Sequence, residues 1–486
     1  MISSTYNSFY KLSNGDYVLI NSLSGAIDTI GVEVKQVLDR IRKGDVPPRN
    51  EDYEPLYQFL EKRGYVYESR DSEWAKLLEI RDHVYRLQNT SVAGITFNVC
   101  TTYMCNLRCP YCYQGHEIHE KPHALTMTEI DKMFKAVDGI LAMEKEKGRY
   151  QNATHRMMLY GGEPLLPTTR ETVREVVRRA VDMYDFRVYA ITNGTFLHDY
   201  LDFFDQYKEK WDYFQISVDG PKSIHDQRRI TAGGQGTFDR IIRNIDMALE
   251  RGFRIALRTN INKDNVDHLE ELVSYVEQRD WHRHPLFFWQ ISPVTDHYGD
   301  NLPNHLPEHK LLVALYEKFG NLEEFMDKYS VQLGTDLSMR TSRIRQAITS
   351  KDWVMNNPCD SCTSTPNTLP IFKECSAREH RFYAFGAEGA IYACPESVGR
   401  PELAVGTFFP DFVINPVKHN MWDKDITDSE QCGTCSVSLF CGGGCAYSNL
   451  MRNGSITEPY CNYSHPTIST YVKQNQDVFL QVQNNK

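Results

Sequence analysis

This sequence predicts an α/β fold built around a parallel sheet, and three observations carry that reading. Strand-like and helix-like patterns alternate six times between Ile95 and Ile291. The motifs able to carry chemistry fall just after the ends of those strand candidates. On either side lie regions of different character, a small mixed segment before and a cysteine-dense segment after. Repeated strand–helix units need right-handed crossovers that return each strand parallel to the last. At 486 residues the chain is too long for one hydrophobic core and divides into two or three domains. The predicted division is 1–90, 91–310, a helical bridging region 311–374, and 375–486.

The strand candidates are Ile95–Val99, Met157–Tyr160, Arg187–Thr192, Tyr213–Val218, Arg254–Asn260 and Leu286–Ile291. Amphipathic helical stretches lie between them, among them Thr128–Glu144, Glu171–Met183, Phe238–Glu250 and Val266–Gln278. In barrels of such units the chemistry sits at the C-terminal ends of the strands. The motifs obey that rule. A cysteine loop follows the first strand and Gly161-Gly162-Glu163-Pro164 the second; Thr192-Asn193-Gly194 ends the third and Ser217-Val218-Asp219-Gly220 the fourth.

The first ninety or so residues read as a separate small domain. Phe9–Leu12, Tyr17–Ile20 and Ala26–Ile30 are short strand patterns, and Asn14-Gly15 is a strong hairpin signal. Helical stretches follow at Val32–Arg42 and Asp52–Arg63, Gly64 stops the second, and Tyr65–Glu68 reads as another strand. A charged helix near Trp74–Leu87 leads into the alternating region.

A hydrophobic content of 41% and a mean hydropathy of −0.50 describe a soluble globular protein. The opening MISSTYNSFYKLSNGDY has no basic region followed by an apolar one, so no export signal is read, and no apolar run approaches membrane-spanning length. Thirteen cysteines in an unexported chain point to metal ligation rather than disulfides. The net charge of −10 argues against nucleic acid as a partner, since a phosphate backbone calls for basic patches. A reduced cytoplasm is the implied compartment.

Cys105, Cys109 and Cys112 lie within eight residues, in the run CNLRCPYCYQ. Three thiolates on one tight loop suit a four-iron, four-sulfur cube, whose remaining corner stays open to a small molecule. A structural zinc site would want a fourth ligand and usually offers paired knuckles. Farther on, Cys375 is followed by thirteen residues, Gly389, four residues and Cys394; then come Cys432, Cys435, Cys441 and Cys445, spaced CxxCx5CxxxC, and finally Cys461. On residues alone, CxxC with CxxxC also suits two zinc knuckles. Cys359 and Cys362 form a further pair, and Cys100, within the first strand, reads as a buried small hydrophobe.

With Tyr111 as the aromatic before the third cysteine, the loop completes CxxxCxφC, and the chain resembles the radical S-adenosylmethionine superfamily. The seven-cysteine set with Gly389 resembles the SPASM domain, the auxiliary-cluster module found behind many peptide-modifying members. The resemblance implies an open (β/α)6 barrel, S-adenosylmethionine and three [4Fe–4S] clusters. It assigns Cys105, Cys109 and Cys112 to the first cluster. Gly161, Gly162, Glu163 and Pro164 would bind the methionine amino group, the glycines letting backbone carbonyls approach. Ser217 and Asn193 would hydrogen-bond the ribose or carboxylate region, and Tyr111 would place its backbone near the adenine. Arg229 would take the methionine carboxylate, which its donors match bidentately, with Arg228 as its alternative. Asp219, His225 and Asp226 read as loop-ordering residues. Cys375, Cys394 and Cys445 would hold the first auxiliary cluster, closed by Cys359, by Cys362 or by a substrate thiolate. Cys432, Cys435, Cys441 and Cys461 would hold the second.

The N-terminal pattern resembles the winged-helix recognition element that grips the leader of a ribosomal peptide through an exposed strand edge. A packing domain without a ligand is the alternative. The resemblance implies reductive cleavage of S-adenosylmethionine to a 5′-deoxyadenosyl radical, which abstracts hydrogen from the substrate, with an electron donor such as flavodoxin or ferredoxin. Anaerobic sulfatase maturases share this architecture but carry an aspartate directly after the second SPASM cysteine. Here Pro395 and Glu396 follow Cys394, so that acid is missing or displaced. The sequence therefore reads as a peptide maturase that forms a thioether or carbon–carbon cross-link in a leader-bearing precursor. Sulfatase-type formylglycine formation is the alternative, and an electron carrier without catalysis would not need the open-iron loop with GGEP.

Overall fold

The computed structural model of the protein describes residues 1–89, 93–114, 119, 123–150, 152–298, 304–334, 370–461 and 464–483. In the N-terminal region, β1 (Ile2–Ser3) precedes β2 (Asn7–Lys11), β3 (Tyr17–Asn21) and β4 (Ile27–Ile30). The last three form an antiparallel sheet in the order β2-β3-β4. Asn14-Gly15 makes the hairpin turn: Leu12 N–H donates to Asp16 O at 2.8 Å, and Gly15 adopts φ 96°, which side-chain-bearing residues resist. Helices Val32–Arg42 and Glu54–Lys62 follow, then β5 (Val66–Tyr67), which pairs antiparallel with β1. The two-residue β1 is too short to show any sequence period. Leu19 and Ile30 on one face of the sheet pack with Val37, Leu38, Ile41, Tyr57 and Leu60 of the helices. Val18 and Ile20, together with Leu12, join the large core of the rest of the molecule. Both sides of this small sheet are therefore covered.

Six strands of the alternating region are β6 (Ala93–Cys100), β7 (Thr154–Tyr160), β8 (Arg187–Thr192), β9 (Trp211–Ser217), β10 (Ile255–Ile261) and β11 (Phe287–Pro293). The third matches its predicted bounds, and the others shift by at most three residues at an end. Helix Phe238–Glu250 is also as predicted, and helix Met127–Glu146 opens on a capping box between Thr126 and Glu129. Two further parallel strands extend the sheet: β12 (Val331–Leu333) beside β11, and β13 (Phe382–Phe385) beside β6. Antiparallel β14 (Ala390–Tyr392), β15 (Gly406–Thr407) and β16 (Val413–Ile414) complete an eleven-stranded sheet, order β12-β11-β10-β9-β8-β7-β6-β13-β14-β15-β16. The barrel sheet thus runs unbroken into the cysteine-rich region.

Side chains alternate across each strand. Phe97, Val99, Leu159, Val188, Ala190, Phe214, Ile216 and Leu257 are fully buried in the apolar core. Asn98, Gln215, Ser217, Arg258, Asn260, Gln290 and Ser292 alternate with the core residues and make the opposite, interior face polar. Among the described residues no helix is long and apolar enough to cross a membrane.

Candidate functional site

The loop after β6 carries Cys105, Cys109 and Cys112 and is fastened on two sides. Toward the segment after Arg229, Arg108 N–H donates to Ile230 O at 2.9 Å and Ala232 N–H to Asn106 O at 3.0 Å. Toward the loop after β7, Gly162 N–H donates to Thr102 O at 3.1 Å and Glu163 N–H to Met104 O at 2.8 Å. A Cβ on Gly162 would stand 2.2 Å from Met104 O, and one on Gly161, at φ 132°, 2.6 Å from Thr102 O. The glycines of GGEP are therefore needed to seat the cysteine loop itself.

Glu163 is buried, and its carboxylate accepts from Thr192 Oγ1 and Asn193 N–H at 2.6 Å and from Leu165 N–H at 2.9 Å. Those bonds lock the loop after β7 to the loop after β8. Pro164 follows Glu163 at this junction, its carbonyl accepting from Thr169 Oγ1 at 2.6 Å. Asn193 donates to Asn106 Oδ1 at 2.8 Å and lies 3.9 Å from the Cys105 sulfur. Ser217, half-buried at the C-terminal end of β9, pairs in register with Arg258.

Burial disfavours the thiolate form of all three cysteines. Burial, reinforced by Glu163 and the neighbouring sulfurs, pushes Cys105 up to about 12. Burial takes Cys112 to about 11, and it raises Cys109 against the pull of Arg229. Three half-buried thiols on one loop are able to bind a metal centre as thiolates, with loss of their protons on binding. His119, which the sequence did not single out, stands with Nε2 3.3 Å from the Cys112 sulfur while Nδ1 meets Tyr103 O at 2.9 Å.

Arg229 and Arg228 are both buried but engaged differently. Arg228 donates through Nη1 to Asn262 Oδ1 at 2.8 Å and through Nη2 to Asn260 O at 3.2 Å, and it lies 4.8 Å over the Tyr111 ring. Arg229 donates through Nη1 to the Tyr111 hydroxyl at 2.7 Å; Nε is buried without a hydrogen-bond partner in both arginines, but among the described residues only Arg229 also leaves a terminal nitrogen, Nη2, without a hydrogen bond. An anion therefore finds its open donor edge on Arg229. Tyr111 in turn donates to Asp219, whose other oxygen accepts from Asn260 N–H at 3.1 Å. Asp226 caps helix Phe238–Glu250 through Thr237 and Phe238 N–H, both at 2.8 Å.

The remaining described cysteines separate into two neighbourhoods. Cys445 raises the pKa of both Cys375 and Cys394, and Cys375 that of Cys394, which places the three within electrostatic reach. Cys432, Cys435, Cys441 and Cys461 form the second set by the same criterion. Cys445 thus groups with Cys375 and Cys394, while it also lines one cavity with Cys432, Cys435, Cys441 and Cys461. Cys359 and Cys362 lie outside the described residues. Cys100 is fully buried, and burial drives its thiol far up.

Glu396 reaches into the same space. Its carboxylate raises the pKa of Cys112, Cys394, Tyr113 and Tyr160, and it stands 3.7 Å from His297 Nε2. Burial raises its own pKa, opposed by His297 and Arg258. His297 Nδ1 is fixed by Ser448 Oγ at 2.8 Å. A cavity of about 320 Å³ links Arg258 and the segment after β11 to the second cysteine set. The displaced acid was visible in sequence, but nothing local marked His297. The buried unpartnered Arg229 Nε, the Tyr113 hydroxyl and the all-thiol donor sets fit an iron–sulfur cluster with a charged small molecule beside it.

Residues 99–276 match the radical SAM superfamily. The chain is 26% identical over 392 residues to a cysteine-type anaerobic sulfatase-maturating enzyme of Clostridium novyi, covering 76% of this chain and 94% of that one. Among solved structures, native anSMEcpe with bound AdoMet aligns at 17% identity and TM-score 0.57, over 80% of this chain and 100% of that one. Streptococcus suis SuiB bound to precursor peptide SuiA aligns at 13% identity and TM-score 0.53, over 95% of this chain and 99% of that one. The polar barrel mouth described above, with its three-cysteine loop and GGEP turn, lies within the residues that match the radical SAM superfamily, in a fold that this chain shares with anSMEcpe and SuiB.

Proposed function

We propose that the protein is a radical SAM maturase that cross-links a ribosomally made precursor peptide, through a thioether or a carbon–carbon bond. The fold likeness to SuiB carries this reading, because it extends over 95% of the chain against 80% for anSMEcpe. That solved SuiB structure holds a precursor peptide. Cys105, Cys109 and Cys112 hold a [4Fe–4S] cluster, and the two other cysteine sets hold auxiliary clusters, three in all. When bound, the first cluster would supply the one-electron reduction that cleaves S-adenosylmethionine to a hydrogen-abstracting radical.

The chain's residues bind and orient. Arg229 takes the methionine carboxylate on its open edge, Gly161, Gly162, Glu163 and Pro164 present the wall for the amino group, and Asn193, Ser217 and Tyr111 frame the nucleoside. The electron comes from a small carrier such as a flavodoxin or ferredoxin.

A second reading, sulfatase-type oxidation of a cysteine or serine to formylglycine, is favoured by one observation. Glu396 lies within reach of both the first loop and Cys394 despite its one-residue displacement.

Mass spectrometry decides between the readings. Anaerobic enzyme with S-adenosylmethionine, a reductant and its precursor peptide should yield 5′-deoxyadenosine and a peptide lighter by two hydrogens per cross-link. A formylglycine product from a sulfatase-derived peptide, with an unaltered precursor, would establish the second reading. Glu396→Gln should keep uncoupled formation of 5′-deoxyadenosine while lowering modified product by about 10²–10⁴-fold, the range of a lost general base.

A further inference from the structure

The second cysteine set is walled on one side by the N-terminal domain. Its CxxC turn, Cys432-Gly433-Thr434-Cys435, is held there at two points. The Tyr6 hydroxyl donates to the Gly433 carbonyl at 2.7 Å, and the Ser8 and Ser436 hydroxyls meet at 2.8 Å. Tyr6 is 1% exposed and shares an apolar cluster with Leu23, Leu77, Ile80, Val84 and Cys432. Trp74, on helix Arg70–Asn89, covers Gly433: an added Cβ there would stand 3.4 Å from its ring. The same helix reaches the preceding segment, where Tyr85 donates to Asp425 and Arg81 to Thr427.

A CxxC turn presents both sulfurs to one centre only while the peptide planes between them keep their orientation. The Gly433 carbonyl belongs to one of those planes, and the donor fixing it stands 427 residues earlier in the chain. A buried carbonyl that loses its donor is left to reorient or stay unsatisfied. We propose that Tyr6 and Ser8 are positioning residues for the second cysteine set, so that the N-terminal domain governs how firmly a cluster is held at Cys432, Cys435, Cys441 and Cys461. The inference rests on the reading of those four cysteines as cluster ligands.

The test is iron release from anaerobically reconstituted full-length protein challenged with a ferrous chelator, followed by absorbance and by EPR of the reduced protein. Tyr6→Phe with Ser8→Ala should release one cluster's share of iron about five- to tenfold faster, the ratio that a hydrogen bond of about 1 kcal/mol carries. That phase should be missing from Cys432→Ala with Cys435→Ala. Tyr57→Phe is the control, because Tyr57 makes an equally buried bond to Pro47 O at 2.7 Å, on the helical side of the same domain. Release unchanged in the Tyr6 and Ser8 variant, or equally hastened in the Tyr57 variant, would overturn the positioning role. Wild-type iron content in the double-cysteine variant would instead remove the cluster reading beneath it.

Discussion

Arg228 and Arg229 are adjacent in sequence and both leave a buried Nε without a partner, yet only Arg229 also leaves a terminal nitrogen unbonded among the described residues. Arg228 spends both terminal nitrogens on Asn262 and Asn260, while Arg229 spends one on Tyr111. Arg229→Ala should therefore weaken S-adenosylmethionine binding by about 1.5–3 kcal/mol, the worth of a charge-assisted hydrogen bond. Arg229→Lys should recover only part of that, since an ammonium cannot pair bidentately. Equilibrium dialysis under anaerobic conditions measures both. Arg228→Ala should instead lower thermal stability, because it strips a buried bond from Asn262. Cofactor affinity lost from the Arg228 variant and kept in the Arg229 variant would reverse the assignment.

At the scale of elements, β4 is an edge strand of the N-terminal sheet. Asn21 N–H donates to Ala26 O, so the alternating ladder turns the Thr29 backbone outward, away from β3. Thr29→Pro removes an outward donor without breaking that ladder but also removes the Thr29 hydroxyl that donates to Phe479 O at 2.9 Å, so Thr29→Val is the control for that bond. If the leader adds to this edge, precursor modification should fall steeply while uncoupled cleavage of S-adenosylmethionine persists; fluorescence anisotropy of a labelled leader reads the binding directly. Elsewhere, helix Met127–Glu146, β13 and helix Pro416–Met421 meet over two buried histidines. The rings of His380 and His419 stack at 3.9 Å, and Tyr383 joins His419 at 3.0 Å. Burial first, then the charge of His419, holds His380 low; burial brings His419 down to about 4, with Glu144 and Asp423 opposing and Lys147 and Arg149 assisting. Both pKa values lie below the ordinary 6.5, so the unfolded chain binds protons first as pH falls. Their contribution is complete above about pH 6.5 and erodes below it, by up to about 1.4 kcal/mol per unit for each ring. Melting curves from pH 7 to 4.5 should show this slope, and His419→Gln should flatten it.

Over the whole molecule the three cysteine neighbourhoods set a stoichiometry. Reconstituted protein should carry about twelve irons and twelve sulfides, and alanine at Cys105, Cys109 and Cys112 should remove about a third and abolish cleavage of S-adenosylmethionine. Iron analysis and cleavage assays check both, and zinc in place of iron with activity retained would reject the assignment. Deleting residues 1–69 is a poor test of leader binding. Val18 and Ile20 lie in the large core, and Tyr6 holds the Gly433 carbonyl, so truncation would expose apolar surface and disturb a cysteine turn at once.

Contiguous residues settled much of this in advance. Period-two and period-3.6 patterns are local, so the six barrel strands and helix Phe238–Glu250 could be read directly, and three cysteines on one loop need no fold to bring them together. Strands β12 and β13 were not legible because three or four residues carry no period; their neighbours in the sheet create them. The docking of the N-terminal sheet, the place of His297 beside Glu396 and the free edge of Arg229 likewise depend on which distant side chains a packed core brings within bonding distance. The sequence by itself determined the fold class and the three-cysteine loop, because both are written in short-range spacing. Only the tertiary structure decided how the barrel, the small sheet and the cysteine sets share walls, because burial and hydrogen-bond satisfaction are properties of the assembled chain.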